Sequence, residues 1–296
     1  MAHEHSVDRR LRLALGANVA IVVVELAVGV AAASLGLIAD AAHNLADVSA
    51  LSLALWARVL TRRAPTGARS FGWHRSTVLA AQVNAAAVLV LTGLLLVESV
   101  RRLNDPPEVS GGLVLAAAGA AFVVNGGSAL LLRHHAHDLG TRGALLHLAG
   151  DAAASLAVAV SGAVVLAGGS SVVDPLASLL LCALLTVGAW RLLRRTTVVL
   201  LEGTPTGLDP DAVSATIAGV PGVESVHDLH VWSLSGAVHA LSAHVVVAGH
   251  PTLEEAQVVG TAVKAAVSAP YAIVHATVEL ECEGCVDDGS WCAITR

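Results

Sequence analysis

Six stretches of this chain are apolar for long enough to cross a lipid bilayer, and that narrows the fold more than any other feature. A membrane-spanning helix needs about 20 predominantly apolar residues. Such stretches run near residues 13–33, 36–57, 77–100, 112–132, 143–167 and 172–193. The composition agrees: 55% of the 296 residues are hydrophobic and 14% are charged, against about 25% charged in a soluble domain. The net charge of -6 is spread along the chain. Neither end is strongly basic and no basic run is interleaved with aromatics, so nucleic acid is excluded as a partner. Residues 1–12 are polar and lack a small-residue cleavage site after a short apolar stretch, so no removable signal peptide is expected.

The arginines orient the spans. Arg9, Arg10 and Arg12 precede the first span, and Arg58, Arg62, Arg63, Arg69 and Arg75 lie between the second and third. Arg133 and Arg142 flank the loop between the fourth and fifth, and Arg191, Arg194 and Arg195 end the sixth. The opposite side carries only Arg101 and Arg102, a pair at a helix end that can snorkel. Positive loops stay in the cytoplasm, so both termini are expected there. The Ala- and Val-rich composition suggests a bacterial plasma membrane.

The character changes after Glu202. Thr204-Pro205-Thr206-Gly207 reads as a linker. Beyond it a helix is expected from Asp209, a possible N-cap ahead of Pro210, to Ala218. Alternating β-branched runs at 222–234 and 237–247 flank Ser235-Gly236, a hairpin turn. A second helix over 253–267 and a strand over 271–281 complete an αββαβ order. The expected organisation is therefore an N-terminal segment (1–12), six helices in the membrane (13–200), a small α+β domain (201–283) and a Cys-containing end (284–296).

Two of the spans carry the same pattern, His43-x-x-x-Asp47 and His147-x-x-x-Asp151. Four residues of helix turn through about 400° and rise about 6 Å, so each imidazole shares a face with its carboxylate. Asp40, His43 and Asp47 form one polar stripe, and His147, Asp151 and Ser155 form its match. Small residues surround both (Ala41, Ala42, Ala46; Ala149, Gly150, Ala152), which lets membrane helices approach closely. Taken singly, a polar residue in a span is often an interhelical hydrogen-bonding group. Two buried carboxylates with no cation between them are strongly unfavourable. Two nitrogens and two oxygens make a tetrahedral set for a divalent metal such as zinc, at about 2.1 Å per bond. Asp40, two turns from Asp47, reads as a helix-end cap or part of an exit path. Because His and Asp bind protons in competition with metal, the site points to exchange of zinc for protons, and a mid-membrane position suits alternating access. An intramembrane metallopeptidase is the rival reading, but the HExxH string is absent and four protein ligands leave no place for a catalytic water. A membrane-bound metal sensor, resting on the tail alone, needs no matched site in the membrane.

Taken together, the chain resembles the cation diffusion facilitator family, in its zinc-transporting branch. The likeness rests on Leu37-Ile-Ala-Asp-Ala-Ala-His-Asn-Leu-Ala-Asp47, on Phe71-Gly-Trp-His-Arg75 and on Asp138-Leu-Gly-Thr-Arg-Gly-Ala-Leu-Leu-His147-Leu-Ala-Gly-Asp151. Asp174-Pro175, Leu200-Leu-Glu-Gly-Thr-Pro205 and Val226-His-Asp-Leu-His-Val-Trp232 extend it. The resemblance implies a homodimeric exporter of six spans with a cytoplasmic domain of ferredoxin-like topology. It places the transport ligands on His43, Asp47, His147 and Asp151. It also implies that a His at the first of these positions favours zinc, which agrees with the preference of imidazole for zinc over magnesium or manganese. Cadmium and cobalt remain alternatives.

The remaining histidines and cysteines divide by place. His134, His135 and His137 lie in a cytoplasmic loop that either captures metal near the entrance or is a solvated turn; His3 and His5 are a weaker case of the same. His74 reads as structural or interfacial, because residues 58–75 hold no acidic partner. In the tail the resemblance maps cytoplasmic, regulatory zinc sites onto His227, His244 and His275, with Thr277 standing where the family has an acid. Cys282-Glu-Gly-Cys285 is a C-x-x-C in a reducing compartment, where metal binding outranks a disulfide. Cys182, alone in an apolar segment, reads as a small core residue.

Overall fold

A computed structural model of the chain describes residues 2–133, 139–235 and 238–282. Contacts divide it into two compact units, Met1–Ala54 with Val83–Leu193, and Leu55–Gln82 with Arg194–Arg296. Six long helices run through the first two-thirds of the chain: α1 (Ala2–Ala31), α2 (Leu35–Thr61), α3 (Ser76–Asn104), α4 (Gly111–Arg133), α5 (Leu139–Leu166) and α6 (Val173–Leu200). Four of them, α3 to α6, are long and apolar enough to cross a membrane by length and composition. In α1 the apolar part of the described residues is shorter, Asn18–Ala31. In α2 the hydropathy is lowered by Asp40, His43, Asn44 and Asp47, the residues that make it interesting. Large apolar side chains point outward along the helices, among them Val90, Leu94, Val123 and Leu184, each about two-thirds exposed. A soluble surface rarely carries so continuous a patch; lipid covers it at no cost.

The helices run further than their apolar limits suggest. α1 begins at Ala2 rather than near residue 13, and α6 continues to Leu200. Apolarity ends where water begins, but a helix ends where a breaker stands, and past α6 the first are Gly203 and Pro205.

In the first unit the core is built from Leu37, Ala39 and Ala42 of α2, Leu95 of α3, Val114 and Ala118 of α4, Val158 and Ala159 of α5, and Leu181 and Cys182 of α6. Cys182 is fully buried there, a small core residue as its setting suggests. α4 and α5 cross closely at two glycines. A Cβ on Gly162 would stand 2.7 Å from Leu115 N, and one on Gly111 would stand 2.6 Å from Gly162 O. Both contacts are with backbone, which cannot move aside cheaply. Gly162→Ala is therefore expected to destabilise the protein by about 1–3 kcal/mol, the usual cost of overpacking; thermal unfolding of the detergent-solubilised protein tests this, and an unchanged midpoint overturns it.

The turn between α1 and α2 is held from across the unit. Ala33 adopts a left-handed conformation (φ 54°), and its carbonyl accepts from Arg102 Nη1 at 2.6 Å. Arg102 also meets Glu98 at 3.0 Å, and Arg101 meets it at 3.2 Å. The one basic pair that disagrees with the arginine count thus shares a carboxylate of its own helix, which cancels one of its two charges.

The second unit contains the small domain, in the expected αββαβ order: α7 (Pro210–Ala218), β1 (Val223–Ser235), β2 (Val238–Val247), α8 (Leu253–Tyr271) and β3 (Ile273–Glu281). Asp209 caps α7 by accepting from Asp211 N, with Pro210 in the first turn. Thr252 and Glu255 form a reciprocal capping box at the start of α8. Those hydrogen bonds hold the Glu255 carboxyl below its ordinary range. The cap thus contributes fully above that range and weakens as pH falls through it. α8 extends past 267 through Pro270, because a proline in the last turn removes only one bond, and it ends at Ala272 in the left-handed region. The sheet is mixed, β1 antiparallel to β2 and β2 parallel to β3. A complete βαββαβ fold has a further strand at its start; without one, β2 and β3 pair directly and α8 makes the crossover. Val213, Ile217, Leu241, Val245, Val263 and Val267 form the core between helices and sheet.

Candidate metal centre

The two stripes meet between α2 and α5. His43 Nε2 lies 3.1 Å from Asp151 Oδ1 and 3.8 Å from Asp47 Oδ2. His147 Nε2 lies 3.7 Å from Asp47 Oδ2 and 3.6 Å from Asp151 Oδ2. Each carboxylate therefore faces both imidazoles. Four donors each about 2.1 Å from one centre stand about 3.4 Å from one another, so these separations suit a shared tetrahedral ion. Three of the four are too long for a hydrogen bond. Asp47 Oδ2 is buried and has no hydrogen-bond partner among the described residues, although it faces both rings. His43, Asp47 and Asp151 offer donor atoms within 4.8 Å of one another, with Asp151 buried. The His147 side chain is half exposed and its ring sits 6.4 Å from that of His43.

A cavity of about 410 Å³ reaches His43 and Asp47. Its walls come from Ala50 on α2, Asn84 and Val88 on α3, Gly150 and Ala154 on α5 and Leu192 on α6. It runs past the site along α6, from Leu181 to Leu192. On the other side of the site the packing is closed: Asp40 is fully buried and accepts from Ser155 Oγ at 2.8 Å. α2 and α5 thus touch through successive polar rungs, His43 with Asp151 and Asp40 with Ser155.

The second unit brings together another set. His227 and His244 are directly paired between β1 and β2, with ring centroids 5.2 Å apart. Glu281 on β3 meets both, at 3.3 Å from His227 Nε2 and 2.8 Å from His244 Nδ1. These three form a metal-sized group. Asp228 Oδ2 and Glu279 Oε2 each lie 3.5 Å from His244 Nε2, and Asp228 Oδ1 lies 3.0 Å from His230 Nε2. Asp228 gets there through a bulge: β1 uses three steps from His227 to His230 where β2 uses two from His244 to Ser242, and Asp228 takes a left-handed φ of 47°. His275 is elsewhere. It pairs in register with Ala240 and packs edge-on against Phe71, with centroids 5.4 Å apart. The acid absent at Thr277 is supplied further along β3, by Glu279 and Glu281. Their spacing of two is the signal that marks them, since it puts both on one face with Leu280 on the other.

Cys282 follows Glu281 and is exposed. Cys285, and His134, His135 and His137, lie outside the described residues. His74 lines a cavity of about 650 Å³ within the second unit, together with Arg69, Phe71, Arg75, Glu202 and Trp232. Arg75 bonds Glu202 at 2.8 Å there, and Arg69 stacks 4.0 Å above the Trp73 ring.

Residues 11–201 match the family model of the cation efflux transmembrane domain. The chain belongs to the cation efflux family. Residues 205–283 match the companion model, the cytoplasmic domain of cation efflux proteins. Among its relatives is zinc transporter ZitB of Escherichia coli, 35% identical over 96% of this chain and 94% of that protein. Another is the metal cation efflux system protein CzcD of Cupriavidus metallidurans, 32% identical over 96% of this chain and 90% of that one. The cadmium, cobalt and zinc/H(+)-K(+) antiporter of Bacillus subtilis is 29% identical over 96% and 93%. As a member of this family the chain is a multi-pass membrane transporter and not an enzyme.

Proposed function

We propose that the protein exports zinc from the cytoplasm by exchanging it for external protons at a site made of His43, Asp47, His147 and Asp151. The observation that carries this reading is the pair of carboxylates each facing both imidazoles, at four separations of which three are too long for hydrogen bonds and all suit one tetrahedral ion. Two imidazoles with two carboxylates suit zinc, and the relatives' names point to the same metal. The net charge of two carboxylates cancels that of the ion, so the loaded site is neutral in the membrane. Unloaded, it needs protons instead. Exchange follows from that alternation.

The arginine count puts both termini in the cytoplasm. On that orientation Ala50 and Leu192, at one end of the cavity beside His43 and Asp47, lie on the cytoplasmic side of the site, and the closed Asp40 side faces out. Domain boundaries near residues 12, 200 and 283 are consistent with this division of labour. The tail match supports a dimer of two chains, and its His227, His244 and Glu281 set supports zinc as a regulator. If so, Glu281→Gln weakens zinc binding by the tail about 10- to 100-fold, the scale of losing one carboxylate near a metal, while transport at saturating zinc persists. Equilibrium dialysis of the purified protein measures this; unchanged stoichiometry and affinity count against the regulatory site.

The function is tested by zinc uptake into inverted vesicles with a pH indicator inside. Uptake is expected to accelerate when the vesicle interior is acid and to carry protons out. His43→Asp is expected to admit manganese at the expense of zinc, because it exchanges a borderline nitrogen for a hard oxygen. Zinc flux indifferent to the pH gradient defeats the exchange reading, and selectivity unchanged in His43→Asp defeats the assignment of His43.

A further inference from the structure

Glu25 and Asp40 are buried acids that the metal centre does not use. Glu25, on α1, is 1% exposed, and Asp40, on α2, is 0% exposed. Glu25 Oε2 accepts from Asn44 Nδ2 at 2.9 Å, and Asp40 Oδ2 accepts from Ser155 Oγ at 2.8 Å. Their other oxygens, Glu25 Oε1 and Asp40 Oδ1, are buried and have no donor among the described residues. Asp40 and Asn44 stand one turn apart on the same face of α2, so the Glu25 carboxyl that Asn44 holds lies beside Asp40. Two carboxylates are acceptors only, and between them such a contact is repulsive. One carboxylic acid and one carboxylate form a strong bond. Buried side by side with no donor between them, the two groups call for one proton held in common.

We propose that Glu25 and Asp40 form a proton-binding site of their own, separate from the metal centre, and that the proton held there is one of those exchanged for metal. This rests on the exchange reading above. A proton fits the place better than a metal ion does. The donors are oxygens alone, both side chains are buried, and the cavity that reaches His43 and Asp47 is lined by neither Glu25 nor Asp40. A metal ion would have to shed its water with no path to do so.

The position suits the task. Asp40 is three residues before His43, about one helical turn toward the α1–α2 connection. The arginine count places that side outside, where protons arrive. Asp40–Ser155 is the next rung after His43–Asp151, so the pair senses the centre across one turn. The charged and titratable groups facing the pair are His43 on α2 and Asp151 on α5. A doubly charged ion at the centre favours loss of the shared proton, and its departure favours the proton's return. In the membrane this repulsion is screened little.

The test uses purified full-length protein in proteoliposomes, with zinc itself as the ligand. Three readouts are compared for wild type, Glu25→Gln and Asp40→Asn: zinc affinity, protons moved per zinc, and the infrared carbonyl band of a buried carboxylic acid. The amide introduced by Glu25→Gln would donate permanently to Asp40 and so keep the contact without the proton. Zinc affinity in Glu25→Gln is expected to be lower than wild type by about tenfold, because zinc binding no longer displaces a proton there. The carboxylic-acid band is expected to be lost from the difference spectrum, protons per zinc to fall by one, and the dependence of flux on pH to flatten. A band that persists in both variants overturns the proposal, as does a wild-type proton count with a wild-type pH profile. If Glu25→Gln fails to bind zinc at all, Asp40→Asn, which retains Glu25, carries the same comparison. Should wild type itself move zinc without protons, the exchange reading and the coupling fall together, while the infrared band still decides whether the pair holds a proton.

Discussion

Asp151→Asn is expected to weaken zinc binding at the membrane site by roughly 10²–10³-fold and to stop transport. Asp151 is the least exposed of the four proposed ligands, and its two oxygens face both imidazoles, Oδ1 toward His43 at 3.1 Å and Oδ2 toward His147 at 3.6 Å. An amide of the same shape offers one weak oxygen and turns a donor toward the other ring. It also leaves the loaded site with a net positive charge in the membrane. Removing one partner from a buried charge pair costs about 3–5 kcal/mol, and about 1.4 kcal/mol is a factor of ten. The same change at Asp47, which is more exposed, should cost less. Zinc competition with a fluorescent chelator and flux into inverted vesicles measure both effects. An Asp151→Asn protein that retained a tenth of wild-type flux would falsify the four-ligand assignment. The tail should be indifferent, because His227, His244 and Glu281 belong to the other unit. A thermal unfolding midpoint in detergent close to wild type shows that the membrane unit of the variant is folded.

What made this site legible in the sequence was that its information is local. Each His-x-x-x-Asp pair is set by helical geometry within five residues, so the face it occupies follows from spacing alone. The αββαβ tail was legible for a similar reason: alternation and turn residues announce strands one at a time, and the Asp209-Pro210 cap needs only its neighbours. Contacts across long separations were not legible. Glu25 is a single acid in the apolar part of α1, Asn18–Ala31, with no periodic partner, and only the packing of α1 on α2 shows Asp40 and Asn44 beside it. Asp228 and Glu281 join His227 and His244 through a bulge in β1 and the parallel register of β2 with β3. A one-residue change in either would send them to the other face. His275 illustrates the same point in reverse. It lies on the right strand, four residues before Glu279, the residue that faces His244, so its ring meets Phe71 instead. The helix ends were also hidden, because apolarity marks where lipid stops and not where hydrogen bonding does.

Asp174→Asn is expected to be the most destabilising single change outside the metal centre, lowering the melting temperature in detergent by roughly 10 °C. Asp174 opens α6, yet its carboxylate works at the start of α2, 139 residues away. It accepts from Leu35 N at 2.7 Å, from Gly36 N at 3.3 Å and from Ser34 Oγ. These are the first N–H groups of α2, which no intrahelical carbonyl can satisfy, and the negative charge also complements the positive end of the helix dipole. Ser34 in turn accepts from Leu37 N at 3.1 Å, so one carboxylate organises the whole first turn. Gly36 leaves room for it: a Cβ there would come within 3.0 Å of Asp174 Oδ1. Asparagine has one accepting oxygen, and its amide would point N–H at N–H. Each buried donor left unsatisfied costs about 1–3 kcal/mol, and at least one is stranded here with no water at hand. The consequence reaches the metal site because Asp40, His43 and Asp47 are carried on the helix that this cap fixes. Zinc affinity should therefore fall by less than about tenfold in the folded fraction, while the folded fraction itself shrinks. Ser34→Ala, which removes one donor and leaves the carboxylate its two backbone partners, should cost about 1 kcal/mol. A melting temperature unchanged in Asp174→Asn, or a larger loss in Ser34→Ala than in Asp174→Asn, contradicts the capping role.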